Sequence, residues 1–172
     1  KGSCYRINVE GVANVVRMCQ EGGVHLIHVS TDYIFDGEKS NNPYTEEDTP
    51  EPINWYGQTK YLAEEVILES GANSMIMRIS MPYCAHYELK TDVARFFLEE
   101  LKAGNKITAI QDQRITPTLV DDIANALVVL ADAKPLGIYH VSAKNWTTPF
   151  DFANLIARTF GFNTSLVKAI SL

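Results

Sequence analysis

Apolar residues along the chain switch repeatedly between two spacings. Residues 5–20 place Ile7, Val9, Val12, Val15, Val16 and Cys19 close to helical spacing, and Gly22-Gly23 ends the predicted helix. The run Val24-His25-Leu26-Ile27-His28-Val29-Ser30 is short, β-branched and nearly all apolar, which predicts a buried parallel strand. A polar stretch over 36–54 reads as a long loop, a feature usually tied to function in a compact domain. Residues 56–70 return to helical spacing with Leu62, Val66, Ile67 and Leu68 on the apolar side, and 74–80 predict a second strand halted before Pro82.

The second half continues the alternation. Thr91 is placed to cap a helix over 92–103 that Gly104 terminates, and 106–110 predict a strand. Asp121 opens a helix over 122–133, and 137–142 predict another strand. Thr148, Pro149 and Asp151 supply a cap, a first-turn proline and a first-turn acid for a helix that stops at Gly161. This order predicts an α/β fold: a three-layer, Rossmann-like arrangement with a mostly parallel sheet. Such a sheet opens on a strand, a glycine-rich turn and a helix when it binds a dinucleotide. This chain opens on a helix, and its ten glycines form no G-x-G-x-x-G. The expectation is a fold incomplete at the N-terminus, with 1–82 as the C-terminal part of a dinucleotide-binding domain. Residues 83–172 would mix a small substrate-binding portion with returning Rossmann elements.

Composition narrows the partners. The 172 residues carry a net charge of −6 with no basic block, which argues against nucleic acid and anionic membrane. No apolar run approaches the roughly 18 residues of a membrane span. Three cysteines without C-x-x-C spacing read as reduced thiols, and a cytoplasmic location is expected.

The chemistry-bearing residues cluster in two places. Ser30-Thr31-Asp32-Tyr33 closes the first strand, and ligands of open α/β sheets bind beyond the carboxyl ends of strands. Tyr56 and Lys60 stand four apart on the next helix, on one face. A free phenol titrates near pH 10, and an adjacent ammonium would draw it down toward use as a general acid or base. Thr31 is placed to hold a substrate oxygen against that phenol. Taken alone, Tyr-x-x-x-Lys is better explained by an exposed pair; the strand-end hydroxyl, the loop between the two motifs and the position at the start of the next helix favour a site.

Other residues fit plainer roles. His25, His28 and His140 read as strand histidines, with no third metal ligand at useful spacing and no metal expected. Glu46, Glu47, Asp48 and Glu51 read as a solvated acidic loop. Trp146, Phe150, Phe152 and Phe160 predict a small core around the last helix. The amphipathic stretch 95–101 is expected to pack on the substrate side, with a homodimer contact as the second use.

The segments Ser30-Thr31-Asp32-Tyr33-Ile34-Phe35-Asp36-Gly37, Pro43-Tyr44-Thr45-Glu46-Glu47-Asp48 and Tyr56-Gly57-Gln58-Thr59-Lys60 resemble the dTDP-4-dehydrorhamnose reductase branch of the extended short-chain dehydrogenase/reductase family. The stretches 115–124 and 137–142 resemble it too, so the likeness covers nearly the whole chain in order. The resemblance implies an NAD(P)-dependent oxidoreductase reducing the C4 keto group of a nucleotide-linked deoxysugar. Thr31, Tyr56 and Lys60 would be catalytic, with Tyr56 the proton donor. It places Ser30, Tyr56, Lys60, Arg78, Ser80 and Pro82 at the NAD or NADP cofactor, and Thr31, Asp32, Tyr33 and Trp55 at the sugar nucleotide. Asn8 matches a helix asparagine that supports the lysine through water. The segment 81–90 departs from the branch and leaves the sugar's identity open. Two alternatives accompany this reading: a nucleotide-sugar epimerase or dehydratase that recycles its cofactor, and a regulatory subunit like that of methionine adenosyltransferase.

Overall fold

The computed structural model describes residues 1–39, 42–86 and 88–172. The chain divides into two compact units, Lys1–Ile79 with Asn125–Val141, and Ser80–Ala124 with Ser142–Leu172.

The first unit is built on three parallel strands, β1 (Leu26–Thr31), β2 (Ser74–Ile79) and β6 (Gly137–Val141), in the order β1-β2-β6. Ser30 pairs with Arg78 and Thr31 with Ile79 across β1 and β2. The opening helix comes in two parts, α1 (Gly2–Tyr5) and α2 (Gly11–Gly22), joined by a π-helical turn, Arg6–Glu10. It ends at Gly23, whose φ of 62° is left-handed, with the Val24 N–H bonded to the Cys19 carbonyl. That closure spends Val24 on the cap, so β1 begins two residues later than its apolar run predicts.

Helix α3 (Trp55–Glu69) starts on Asn54, whose side chain accepts from the Gly57 N–H at 2.8 Å. Ile67 of α3, Val16 of α2 and Ile76 of β2 form the core of this unit, with Leu26, Val12 and Ile138 packed against them. Of the apolar residues assigned to the buried side of α3, Leu68 is instead exposed; the packed face runs through Ala63, Glu64 and Ile67. The loop between β1 and α3 is braced within itself and onto β6. Phe35 stacks on Tyr44 with centroids 4.2 Å apart, Tyr44 donates to Asp36, and Glu46 accepts from the His140 N–H at 2.8 Å.

The second unit contains β3 (Pro82–Tyr83) paired with β5 (Thr118–Leu119), and β4 (Ile107–Ile110) paired with β7 (Val167–Ile170), all parallel. Its helices are α4 (Val93–Lys102) and α6 (Pro149–Thr159), and α5 (Val120–Ala133) begins in it and continues into the first unit. Phe97, Leu101, Ile107, Ile115, Phe152, Ile156 and Val167 are its core. Thr148 caps α6 as expected, accepting from the Asp151 N–H at 3.0 Å. The α4 cap is Asp92 rather than Thr91, because the Asp92 carboxylate accepts both the Arg95 N–H and its guanidinium. Trp146 and Phe160 are not core residues; both are more than half exposed, and Trp146 is covered by the Arg114 guanidinium at 4.6 Å from its ring centre.

Candidate active site

At the carboxyl end of β1 the backbone turns into a short 3-10 turn, Asp32–Ile34, capped by Thr31. The Thr31 hydroxyl accepts from the Tyr33 N–H at 3.3 Å and donates to Asp32 Oδ1 at 3.2 Å. The side chain is almost wholly buried, which leaves it a narrow outlook. Tyr56 stands at the start of α3 and meets Tyr33 edge-to-face, with ring centres 5.9 Å apart. Burial pushes the Tyr56 phenol above its usual titration range, a hydrogen-bonding interaction with Thr31 pulls it partly back, and the neighbouring acids Asp32, Cys4 and Tyr33 add to the rise. The start of α3 and the turn that follows the strand-end hydroxyl are thus brought together through Tyr33.

The close approach of these elements depends on Gly57. A Cβ there would lie 2.0 Å from the Tyr33 carbonyl oxygen and 3.2 Å from Pro52 Cβ. Only the missing side chain lets the first turn of α3 press against the turn that follows Thr31.

Lys60 occupies the same face of α3 and is bound to β1. Its Nζ donates to the Val29 carbonyl at 2.7 Å and lies 3.1 Å from His28 Nε2. Burial lowers the lysine, and the charge of Glu64 opposes that. His28, desolvated and facing this ammonium, falls to about 4 and is therefore neutral near pH 7, with Nε2 free to accept from Lys60.

The other expected residues fall in varied surroundings. Ser30 and Arg78 are buried and turned onto Glu64, which is itself fully buried. Arg78 Nη2 donates to Glu64 Oε2 at 2.6 Å and Nε to Oε1 at 3.1 Å; the Ser30 hydroxyl donates to the same Oε1. The Arg78 guanidinium lies 5.4 Å above the Phe35 ring. Asp32 is partly buried beside Thr31, while Tyr33 is half exposed. Trp55 is partly exposed, and its indole N–H donates to the Lys1 carbonyl. Asn8 lies in the π turn, and its amide donates to Thr59 Oγ1 at 2.9 Å, the residue before Lys60. It supports α3 through that direct bond. Ser80 and Pro82 belong to the second unit, where Pro82 is exposed and pairs with Thr118. Sequence reasoning missed Glu64. Its signal was present: Tyr56, Lys60 and Glu64 recur every four residues, and an acid stands among Ala63, Val66 and Ile67.

Residues 1–172 match the family model of the RmlD substrate binding domain. The chain belongs to that family. Its relatives within and around the RmlD family differ in role. The dTDP-4-dehydrorhamnose reductase of Shigella flexneri is 34% identical, with 94% of this chain aligned to 56% of the relative. The methionine adenosyltransferase 2 subunit beta of Rattus norvegicus is 31% identical, with 96% of this chain aligned to 51% of the subunit. The crystal structure of a Bacillus anthracis dTDP-4-dehydrorhamnose reductase in complex with NADP superposes with a TM-score of 0.89 at 30% identity, covering 98% of this chain and 58% of that one. The chain therefore spans about half the length of the relatives it matches. The three-layer α/β, Rossmann-like expectation agrees with this likeness and with the parallel strand pairing.

Proposed function

We propose that the whole protein is an NAD(P)-dependent reductase of a nucleotide-linked 4-keto deoxysugar, with Tyr56 the proton donor, Thr31 the positioning hydroxyl and Lys60 the cation of the site. The observation that carries this reading is the close approach of the start of α3, which bears Tyr56, to the turn capped by Thr31, with Gly57 against the Tyr33 carbonyl and the Tyr33 and Tyr56 rings 5.9 Å apart. Support comes from the reductase relative at 34% identity and from the NADP-bound reductase of the same fold.

The direction of the phenol's shift suits reduction. A phenol held above its usual value stays protonated through neutral pH, so Tyr56 is ready to give a proton. Thr31 orients the acceptor oxygen against it, and the half-exposed Tyr33 ring walls one side. The cofactor would supply a hydride to the carbonyl carbon. The residues present fit such a group: a phenol and an ammonium on one helical face beside a strand end offer a donor pair for a ribose. Lys60, now bonded to the Val29 carbonyl, is the cation within reach of that edge.

The test is isotopic. The whole protein, given nicotinamide cofactor deuterated at C4 and a dTDP-4-keto-6-deoxysugar, is expected to form a product carrying deuterium at sugar C4. Cofactor that stays bound and is recycled without net consumption would instead make it an epimerase or dehydratase.

A second reading has its own support in the 31% identity to an adenosyltransferase beta subunit over 96% of this chain. Under it the same fold serves as a regulatory subunit, and a stoichiometric catalytic partner would co-purify.

A further inference from the structure

Glu64 is an expensive residue to bury. It has no solvent exposure, and Arg78 beside it is 4% exposed. Taking such a pair out of water costs as much as its attraction returns, and well-packed apolar residues commonly do as well for stability. What an ion pair adds is direction. The carboxylate receives Arg78 through Nε and Nη2, and Ser30 through its hydroxyl. Ser30 and Arg78 are paired with each other across β1 and β2. Glu64 therefore fastens α3 to two strands at the rung immediately before the one that carries Thr31. Counted back along the helix face, Lys60 is one turn away and Tyr56 two.

We infer that Glu64 is a positioning residue, tying the Tyr56–Lys60 face of α3 to β1 beside Thr31 and so setting where the phenol stands relative to that hydroxyl. The tie works with Gly57. Gly57 lets the start of α3 come close, with room for nothing larger than hydrogen against the Tyr33 carbonyl. Glu64 stops the helix from sliding along the strands or turning about its axis. A displacement of about 1 Å at a reacting centre can cost about 10²-fold in rate, which makes such a brace worth its burial. The inference deepens the reductase reading and rests on it for the kinetic consequence, but the tie itself is measurable without turnover.

Ser30→Ala is the informative variant, because it cuts the bond to β1 and leaves the buried Glu64–Arg78 pair whole. In the whole protein labelled with ¹³Cζ-tyrosine, the Tyr56 resonance is assigned by its loss in Tyr56→Phe and titrated with and without Thr31→Val. With Ser30 present, Thr31→Val is expected to raise the Tyr56 midpoint by about 0.5 pH or more, since a hydroxyl able to turn from Asp32 to the phenolate as it forms is lost. With Ser30→Ala the same substitution is expected to move it by less than about 0.2 pH, because the two groups are already apart. Equal responses in the two backgrounds would overturn the inference. In the kinetic arm, Ser30→Ala and Glu64→Gln are expected to lower kcat about tenfold or more with KM within about threefold, the signature of misplacement rather than lost binding. An unchanged kcat in folded Ser30→Ala would equally overturn it. A whole protein that turns over no keto sugar would remove the reductase reading while the titration cycle still decides the tie.

Discussion

The Lys60 ammonium donates to the Val29 carbonyl at 2.7 Å, two residues before Thr31, and not to the phenol one turn away. The lysine is therefore held by the strand, while the tyrosine ring stands against Tyr33. The two halves of the Tyr-x-x-x-Lys pair are separable. Lys60→Met is expected to reduce turnover by about 10-fold or more through lost positioning while leaving the Tyr56 titration nearly in place. Tyrosine NMR beside steady-state rates checks this; a large upward move of the phenol on losing Lys60 would show that the ammonium governs it after all.

His28 makes stability depend on pH. Its folded value is about 4 against an ordinary 6.5, so the unfolded chain binds the proton more readily. The stabilisation is complete above about pH 6.5, declines as pH falls toward 4, and is gone below that. The full effect is of the order of 3 kcal/mol before solvent screening, and about 1–2 kcal/mol after it. His28→Gln is expected to flatten the chemical-denaturation profile between pH 6.5 and 4; an unchanged slope would show that His28 does not carry it.

Gly57→Ala is expected to cost about 2–4 kcal/mol, because its Cβ would fall 2.0 Å from a backbone oxygen and the helix start must move. The same movement carries Tyr56 away from Thr31, so turnover should fall more than stability alone explains. Thermal melts and kcat measured below the melting range separate the two.

Much of this arrangement is legible in the residues. The Thr148-Pro149-Phe150-Asp151 start of α6 and the short, largely apolar runs of β1 and β2 declare themselves because local capping and burial decide them. Strands β3 and β5 are two residues long, too short for any period to register. β7 exposes Lys168, Ala169 and Ile170 and is fixed by pairing with β4, a partner sixty residues away in sequence. The Tyr56–Lys60 face follows from spacing, but where Lys60 points does not; the choice between the phenol and the Val29 carbonyl is a matter of strand geometry. Glu64 was masked by the apolar residues around it, since its partners Ser30 and Arg78 come from two other elements.

Arg78→Met should destabilise the protein by about 3–5 kcal/mol, because Glu64 would be left buried and unpaired. Adding Glu64→Leu is expected to restore most of that stability without restoring turnover, as measured by denaturant midpoint and rate on the same samples. Recovery of both would show that the ion pair is needed only as filling.

The central claim is that Tyr56, with Thr31 as the positioning hydroxyl, delivers the proton in a nicotinamide-dependent reduction. The direct measurement is the oxidation of NADPH or NADH by the whole protein on a 4-keto nucleotide sugar, beside Tyr56→Phe. The account predicts turnover that Tyr56→Phe lowers by about 10²–10⁴-fold with the fold intact. A folded whole protein that consumes no cofactor with any such sugar, or a Tyr56→Phe variant as fast as the parent, would contradict it.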